Sequence, residues 1–564
     1  MITAKLAKYL RGLLILAPLC VGSCFDSLGQ SNLTNLTNLT NFANFANFTN
    51  LMSTADWAPS PRTDCGVCHS GTNQPMPGVA DFLKDRAKLS REEWAQKILL
   101  SARCGSCHLV PEPSNLQQSS WREAVSAMLK VMDERKIPRP TSEELTDVVH
   151  FYYTFSPKQF PRLPPDPLPA ESPLVFKRQV LGRGIDTNSP ARPAVGNLLV
   201  TDLDKDGRPD VLVCDMGRSQ LTWIHQTNGL WLEELLAAQL PCPANAQVVD
   251  ANGDGSWDIV VACLGVGGMR ASDDLNGMVF LLMNDGKGHF TPRPIMSGLC
   301  RASDAQPGDF NGDGRIDFVV GEFGFIVHGG IGWLEQGPNQ TFEPHLIWNK
   351  PGAVNVTPID INGDSRLDFI ALVAQDSEEI IAFINDGHGE FQSHLLWKAP
   401  SPVWGSSRIQ LVDLNHDGKM DILYSNGDNA DLKTFVPRPY HGVAWLENKG
   451  DLKFEYHDLG RFYGAYSVVA GDLDGDGDLD LVVSTLFSDC RDPNRASLLW
   501  LENDGKQNFT RHTIATEPIH LITAVVGDVN QDGRLDILAS SMNVFPPFER
   551  MGRVTLWENL GRRR

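Results

Sequence analysis

The chain has 564 residues, 42% of them hydrophobic: a globular composition, and too long for one ordinary core, so two to four domains or one large repeat domain with appendages are expected. Its formal net charge of -20 excludes broad affinity for nucleic acid, which draws on clustered Lys and Arg to displace counterions from phosphate.

Residues 1–24, "MITAKLAKYLRGLLILAPLCVGSC", place Lys5, Lys8 and Arg11 before a short apolar run from Leu13 to Val21, the layout of a secretory signal peptide. The run is too short to span a bilayer. Val21-Gly22-Ser23-Cys24 matches a bacterial lipobox, with ordinary cleavage nearby as the alternative. Export is therefore expected, to the periplasm or the cell surface, with a lipid on Cys24 as the one membrane attachment and an oxidising environment for the cysteines. Residues 25–56 are an Asn-rich low-complexity tether with a three-residue period.

Residues 57–155 read mainly as helix and loop. Ser90/Glu93, Ser120/Glu123 and Thr141/Glu144 have capping-box spacing. Trp121, Val125, Met128, Leu129 and Met132 fall on one helical face, and Leu145, Val149 and Tyr152 on another. The segment carries Cys-x-x-Cys-His twice, at Cys65, Cys68 and His69 and at Cys104, Cys107 and His108. In each copy two thiols can attack the vinyls of a haem while the adjoining imidazole reaches the iron. Zinc on the four thiolates is the main alternative, although the intervening span is long and zinc requires no His after each pair. Disulfides are a third. The second copy, with its Pro-rich loop and Trp121-to-Met128 helix, resembles small bacterial c-type cytochrome domains, including those fused to propellers in secreted proteins. That resemblance implies one or two covalent haems c, with Met128 as distal ligand to the His108 haem and Met132 in reserve. The first copy has no clear distal partner: Met76 is close in sequence and His150 is available, which leaves its haem bis-His, five-coordinate or absent. Residues 156–175 hold seven prolines and form a semi-rigid linker.

From residue 176 to 564 one acidic pattern recurs seven times, its starts 48 to 59 residues apart, the period of a propeller blade. Positions 1, 3, 5 and 9 are Asp202, Asp204, Asp206 and Asp210; Asp250, Asn252, Asp254 and Asp258; Asp309, Asn311, Asp313 and Asp317; Asp360, Asn362, Asp364 and Asp368; Asp413, Asn415, Asp417 and Asp421; Asp472, Asp474, Asp476 and Asp480; Asp528, Asn530, Asp532 and Asp536. Alternating carboxylate and amide oxygens on a tight turn suit calcium, a hard cation wanting many oxygen ligands. An EF-hand is excluded, because position 12 holds Val213, Val261, Val320, Ala371, Tyr424, Val483 or Ala539 in place of Glu, and the flanks read as strands.

These loops resemble the FG-GAP or VCBS repeat of integrin-like propellers. The resemblance implies a mainly β fold, a seven-bladed β-propeller behind a small α-helical cytochrome c-like domain, with up to seven Ca2+ ions. It also assigns the ninth-position Asp of each copy to the calcium shell. Copy four departs from it with Ser365 where the turn wants Gly. The segment at 176–181, "FKRQVL", reads as an outer strand without a blade, and "VTLWENLG" at 554–561 ends a blade lacking one, so their pairing is expected to close the ring.

Phe342/His345, Phe391/His394, Phe454/His457 and Phe509/His512 recur once per blade, which marks these histidines as structural. Cys214, Cys242, Cys263, Cys300 and Cys490 are buried thiols or, for Cys242 and Cys300, an inter-blade bridge. The first functional reading is an exported haem electron-transfer protein whose calcium-stiffened propeller docks a redox partner protein or an extracellular ligand. The second is a dehydrogenase or polysaccharide-acting propeller with the haems as electron outlet, for which Arg301, Tyr463 and His520 are loop candidates. The third is adhesion.

Overall fold

The computed structural model describes residues 90, 91, 93, 95 and 110–563, apart from 135, 161–162, 165–171, 185–191, 271, 326, 376, 430–437, 489–491, 493 and 544–545. The signal and tether segments and both Cys-x-x-Cys-His motifs, with Met76, lie outside the described residues.

Among the described residues, the helices α1 (Trp121–Glu134) and α2 (Ser142–Phe155) precede the strands. The capping box at α2 is reciprocal, Thr141 N donating to Glu144 Oε2 at 2.7 Å and Glu144 N to Thr141 Oγ1 at 3.3 Å. Ser90 and Glu93 make the same exchange at 2.8 and 3.2 Å. The helices meet where Trp121 stacks on Tyr152 with ring centroids 3.6 Å apart. On α2 the buried apolar face is Leu145, Val148, Phe151 and Tyr152, with Val149 half-buried; Phe151 turns inward and rotates the face from the one expected. On α1 Trp121, Val125 and Met132 are buried, whereas Met128 is 43% exposed.

The strands form seven four-stranded antiparallel sheets. Blade 1 is β2 (Val195–Thr201), β3 (Asp210–Asp215), β4 (Gln220–Thr227) and β5 (Leu230–Ala238); blade 2 is β6 (Pro243–Val249), β7 (Asp258–Cys263), β8 (Gly277–Asn284) and β9 (Phe290–Leu299). Blade 3 is β10 (Ala302–Gly308), β11 (Asp317–Glu322), β12 (Gly330–Gln336) and β13 (Phe342–Trp348); blade 4 is β14 (Ala353–Ile359), β15 (Asp368–Gln375), β16 (Ser377–Asn385) and β17 (Phe391–Lys398). Blade 5 is β18 (Ser406–Val412), β19 (Asp421–Asn426), β20 (Gly442–Asn448) and β21 (Phe454–Arg461); blade 6 is β22 (Ala465–Gly471), β23 (Asp480–Thr485), β24 (Leu498–Asn503) and β25 (Phe509–Ala515). Blade 7 is β26 (Leu521–Gly527), β27 (Asp536–Ser541), β28 (Val554–Arg562) and, from the front of the chain, β1 (Leu174–Val180). The ring closes as the sequence predicts: β1 pairs antiparallel with β28, Phe176 opposite Asn559 and Val180 opposite Thr555.

The second strand of each blade is buried on both faces, so it reads as a nearly unbroken apolar run such as Asp258-Ile-Val-Val-Ala-Cys263. The core is correspondingly divided into slabs between neighbouring blades, one per blade interface, for example Leu212, Cys214, Ile259, Val261 and Cys263 between blades 1 and 2.

The meander fixes two faces. Connections from first to second strand carry the acidic loops to one face, and connections from second to third and from fourth to first strand emerge on the other. The residues flanking the two helices touch that second face: Asn115 Nδ2 donates to Ser401 Oγ at 3.0 Å, and the Arg438 guanidinium lies 4.0 Å above the Phe160 ring.

Candidate functional site

All seven acidic loops share one hydrogen-bond pattern. The position 1 carboxylate accepts from the N–H groups of positions 5 and 6, as at Asp202 with Asp206 and Gly207. Position 3 accepts from position 5 N–H, and position 5 from position 7 N–H. This winding needs left-handed backbone at positions 4 and 6. Copy four keeps it with Ser365 at φ 66°, its N–H on Asp360 Oδ2 at 2.8 Å. Ser365→Gly is therefore expected to raise stability by up to about 1 kcal/mol, the left-handed penalty less the entropy cost of Gly, read as an increase in urea midpoint.

The ninth-position aspartates behave differently. All seven are buried, and one oxygen accepts from the last N–H of the third strand in copies two to six, as Asp317 does from Gln336 at 2.7 Å, and from Asn559 N–H within β28 in copy seven. In copies one to six the other oxygen accepts from position 2. These carboxylates thus pin each loop to its own sheet. Burial pushes their pKa up, to about 6 at Asp210, Asp317 and Asp536 and to about 7 at Asp480. The buried indole Nε1 groups of Trp223, Trp333, Trp445 and Trp500 face four of them and lower their pKa, yet stay outside hydrogen-bond geometry.

The loops are not equivalent toward a cation. In copies three, four, five and seven the position 7 side chain, Arg315, Arg366, Lys419 or Arg534, folds back onto the position 5 carboxylate. Copies one and six have no such contact among the described residues, and they alone carry Asp at position 3. In them the ligand oxygens of Asp202, Asp204 and Asp206, and of Asp472, Asp474 and Asp480, lie within 4.8 Å of one another. In copy six Arg562 contacts Asp474. Copy one has no cation on its three carboxylates among the described residues, since the Lys205 ammonium turns away to Gly255 O.

The opposite face holds a cavity of about 330 Å³ on the propeller axis. Its wall includes the second residue of every inner strand, Gly196, Ala244, Ser303, Val354, Ser407, Tyr466 and Ile522. One residue further along each strand lies a polar layer. Asn197 accepts from Arg408 Nη2 at 2.8 Å and itself donates to Asn245 at 2.9 Å. Asp304 accepts from Val356 N–H at 3.0 Å, and Arg408 Nη1 donates to Thr523 Oγ1 at 2.7 Å. Sequence reading missed this layer. Its signal is a polar third residue in every strand that leads into an acidic loop.

Among the loop candidates only Arg301 lines the cavity, donating to Gly268 O and Gly324 O at 3.0 Å. Tyr463 lies beneath Arg495, and His520 is buried with Nδ1 on Leu486 O and its pKa lowered by burial. Cys214, Cys242, Cys263 and Cys300 are buried free thiols, so the Cys242–Cys300 bridge is absent; Cys490 lies outside the described residues. The recurrent histidines are structural: His345, His457 and His512 pair with Glu335, Glu447 and Glu502 at 2.7 to 3.0 Å. Blade 1 transposes the pair, with His225 on β4 and Glu234 on β5 at 3.3 Å.

His441, fully buried on the cavity face, has its pKa pushed down to about 3, first by burial and then by Arg438. Below its ordinary value of 6.5 the unfolded chain takes up a proton that the folded chain refuses, so this contribution to stability is complete above pH 6.5 and is lost as pH falls toward 3. Relative to wild type, His441→Phe is expected to gain up to about 1.4 kcal/mol per pH unit across that window, measured by urea unfolding at successive pH values.

Family models for the FG-GAP-like repeat match residues 202–261, 250–320, 360–424 and 429–483. Six of the seven acidic loops lie within these FG-GAP-like matches. The curated "T-cell immunomodulatory protein homolog" of Plasmodium falciparum (isolate 3D7) is 21% identical over 269 residues, 41% of this chain, and the chain spans 36% of that relative's length. A solved structure, "Crystal structure of BBS1N in complex with ARL6DN, soaked with lead", covers 69% of this chain and 98% of its own at 11% identity and a TM-score of 0.40. The seventh acidic loop, at 528–536, falls outside the matched segments yet repeats the hydrogen bonds of the other six.

Proposed function

We propose that this chain is an exported electron-transfer protein, with covalent haem on its Cys-x-x-Cys-His segments and an FG-GAP-like propeller as the platform that binds a redox partner protein or extracellular ligand. The observation that carries the haem reading is Met128. Seven residues after Trp121, it returns to within about 20° of the same side of α1. There Trp121, Val125 and Met132 are buried, yet Met128 stays 43% exposed. An uncovered thioether on an otherwise buried face suits a flat apolar group set against it. Cys104 and Cys107 would hold that group, His108 and Met128 would be its axial ligands with Met132 in reserve, and Cys65, Cys68 and His69 would hold a second. Haem, when bound, supplies one-electron chemistry, at a relatively high potential for His-Met ligation. Export rests on residues 1–24, and a lipid on Cys24 would tether the protein to a membrane.

Calcium fits the acidic loops by donor chemistry, and copies one and six would fill first, having three clustered carboxylates and no position 7 cation on Asp206 or Asp476. Calcium added to chelator-stripped protein is expected to raise Tm, each site contributing about 2.7 kcal/mol at a hundred times its dissociation constant. Asp202→Asn should remove more of that gain than Asp413→Asn. An unchanged Tm would rule the ion out.

The haem reading is tested by expression in a host with c-type haem maturation and a pyridine haemochrome assay. Two haems per chain are expected. One would single out the Cys104 motif, and none would overturn the reading. A binding module without redox chemistry would then stand, favoured by the FG-GAP-like repeats themselves.

A further inference from the structure

Arg408 occupies an unusual position. It is the basic residue in the polar layer, where the other inner strands carry Asn197, Asn245, Asp304, Asn355, Ser467 and Thr523. Its side chain reaches across the axis to blades 1 and 7, where it donates to Asn197 Oδ1 and Thr523 Oγ1, both neutral. Among the described residues no carboxylate comes within ion-pair distance of its guanidinium. Asp304 is near enough to influence it, but its two oxygens are taken by Val356 N–H at 3.0 Å and Gln306 Nε2 at 2.9 Å. Burial lowers the pKa of Arg408, the sign of a cation enclosed by protein, yet water still reaches part of its surface because it lines the axial cavity.

An enclosed cation that makes no ion pair is costly, and an anion entering the cavity to meet it would offset that cost. The acids that line the same cavity compete only in part: the Glu378 carboxylate is already held by the N–H groups of Gly405 at 2.9 Å and Ser406 at 2.6 Å, and Asp428 stands on a different connection, between β19 and β20. Apolar walls face these polar groups, with Met216, Phe323, Phe487, Ile522 and Met542 around the opening. A volume of about 330 Å³ lies at the small end of organic-ligand sites.

We infer that the axial cavity binds a small organic carboxylate, its anionic end on Arg408 and its body among the apolar side chains of the rim. Such a carboxylate meets the fork of the guanidinium with paired hydrogen bonds. The site is independent of whether haem is attached, since every residue named belongs to the propeller.

Titration calorimetry on the full chain with acetate, benzoate and glucuronate, and with benzamide as the neutral counterpart of benzoate, tests it. At least one carboxylate is expected to bind saturably below about 10 mM while benzamide does not. Arg408→Gln should weaken that binding roughly 30-fold, the usual effect of truncating one member of an enclosed charge pair. Ala244→Phe, which fills the cavity while leaving Arg408 in place, should abolish it. If Arg408→Gln does not fold, Ala244→Phe decides. Binding by none of the three carboxylates, equal binding of benzamide, or unchanged binding to either folded variant would overturn the assignment.

Discussion

Replacing Arg553 with methionine lowers the free energy of unfolding by about 3–5 kcal/mol, the cost of leaving buried acid without its cation. Arg553 sits on the connection between β27 and β28 in blade 7 and is 2% exposed. Its Nε meets Asp215 of blade 1 at 3.2 Å and its Nη2 meets Glu233 at 2.7 Å, the latter an ion pair outside hydrogen-bond geometry. Nη1 adds a bond to Glu233 Oε2 at 3.1 Å, and Thr222 accepts from Nη2 at 3.3 Å. Asp215 is itself fully buried, and its other cation, Arg218, stands at 3.9 Å, beyond hydrogen-bond distance, so nothing replaces the close guanidinium. A triple variant, Arg553→Met with Asp215→Asn and Glu233→Gln, should recover much of the loss, because the cluster gains little over neutral groups once neither acid is left as a buried charge. Urea unfolding of the single and triple variants measures both. A single variant as stable as wild type would mean that blades 1 and 7 are held together by the apolar slab between them without help from this cluster.

What the sequence discloses about this ring follows from repetition. Seven copies of one acidic loop fix the blade count, and a stray outer strand at 176–181 beside a blade short of one fixes the closure. The recurrence of His345, His457 and His512 marks them as structural before their glutamates are known. Other features resist such reading because carboxylates and guanidiniums serve more than one end. Asp317 has the spacing of a ligand, and its oxygens also accept from Phe310 and Gln336 N–H, bonds that depend on where the next strands fall. Arg408 looks like an ordinary strand residue until the ring brings Asn197, 211 positions away, within 2.8 Å. The transposed His225–Glu234 pair of blade 1 shows the same limit: the pairing is kept while the strands that supply it are exchanged.

Closure also predicts what happens when the order of the chain is altered. A chain of residues 182–563, which lacks β1 and everything before it, is expected to lose about 3–6 kcal/mol from two side chains alone, taking about 1.5–3 kcal/mol for each fully buried Leu. Leu174 and Leu181 are 2% and 1% exposed and fill two different slabs, between blades 6 and 7 and between blades 7 and 1. Loss of β1 also bares the edge of β28, which in the intact ring pairs with it from Thr555 to Arg562, so self-association is expected to accompany the loss of stability. Moving residues 172–181 to follow Arg563 through a short turn should restore a monomeric ring. Leu174 already lies opposite Arg562, so the relocated strand would run back along β28 as a hairpin. Both chains lack the helical segment, and any difference between them in size-exclusion profile and Tm therefore reports β1 alone. Equal behaviour of the two chains would show that the strand pairing contributes nothing to the ring, and would leave the Arg553 cluster and the slab of Val195, Val211, Leu538 and Leu556 to hold its ends together.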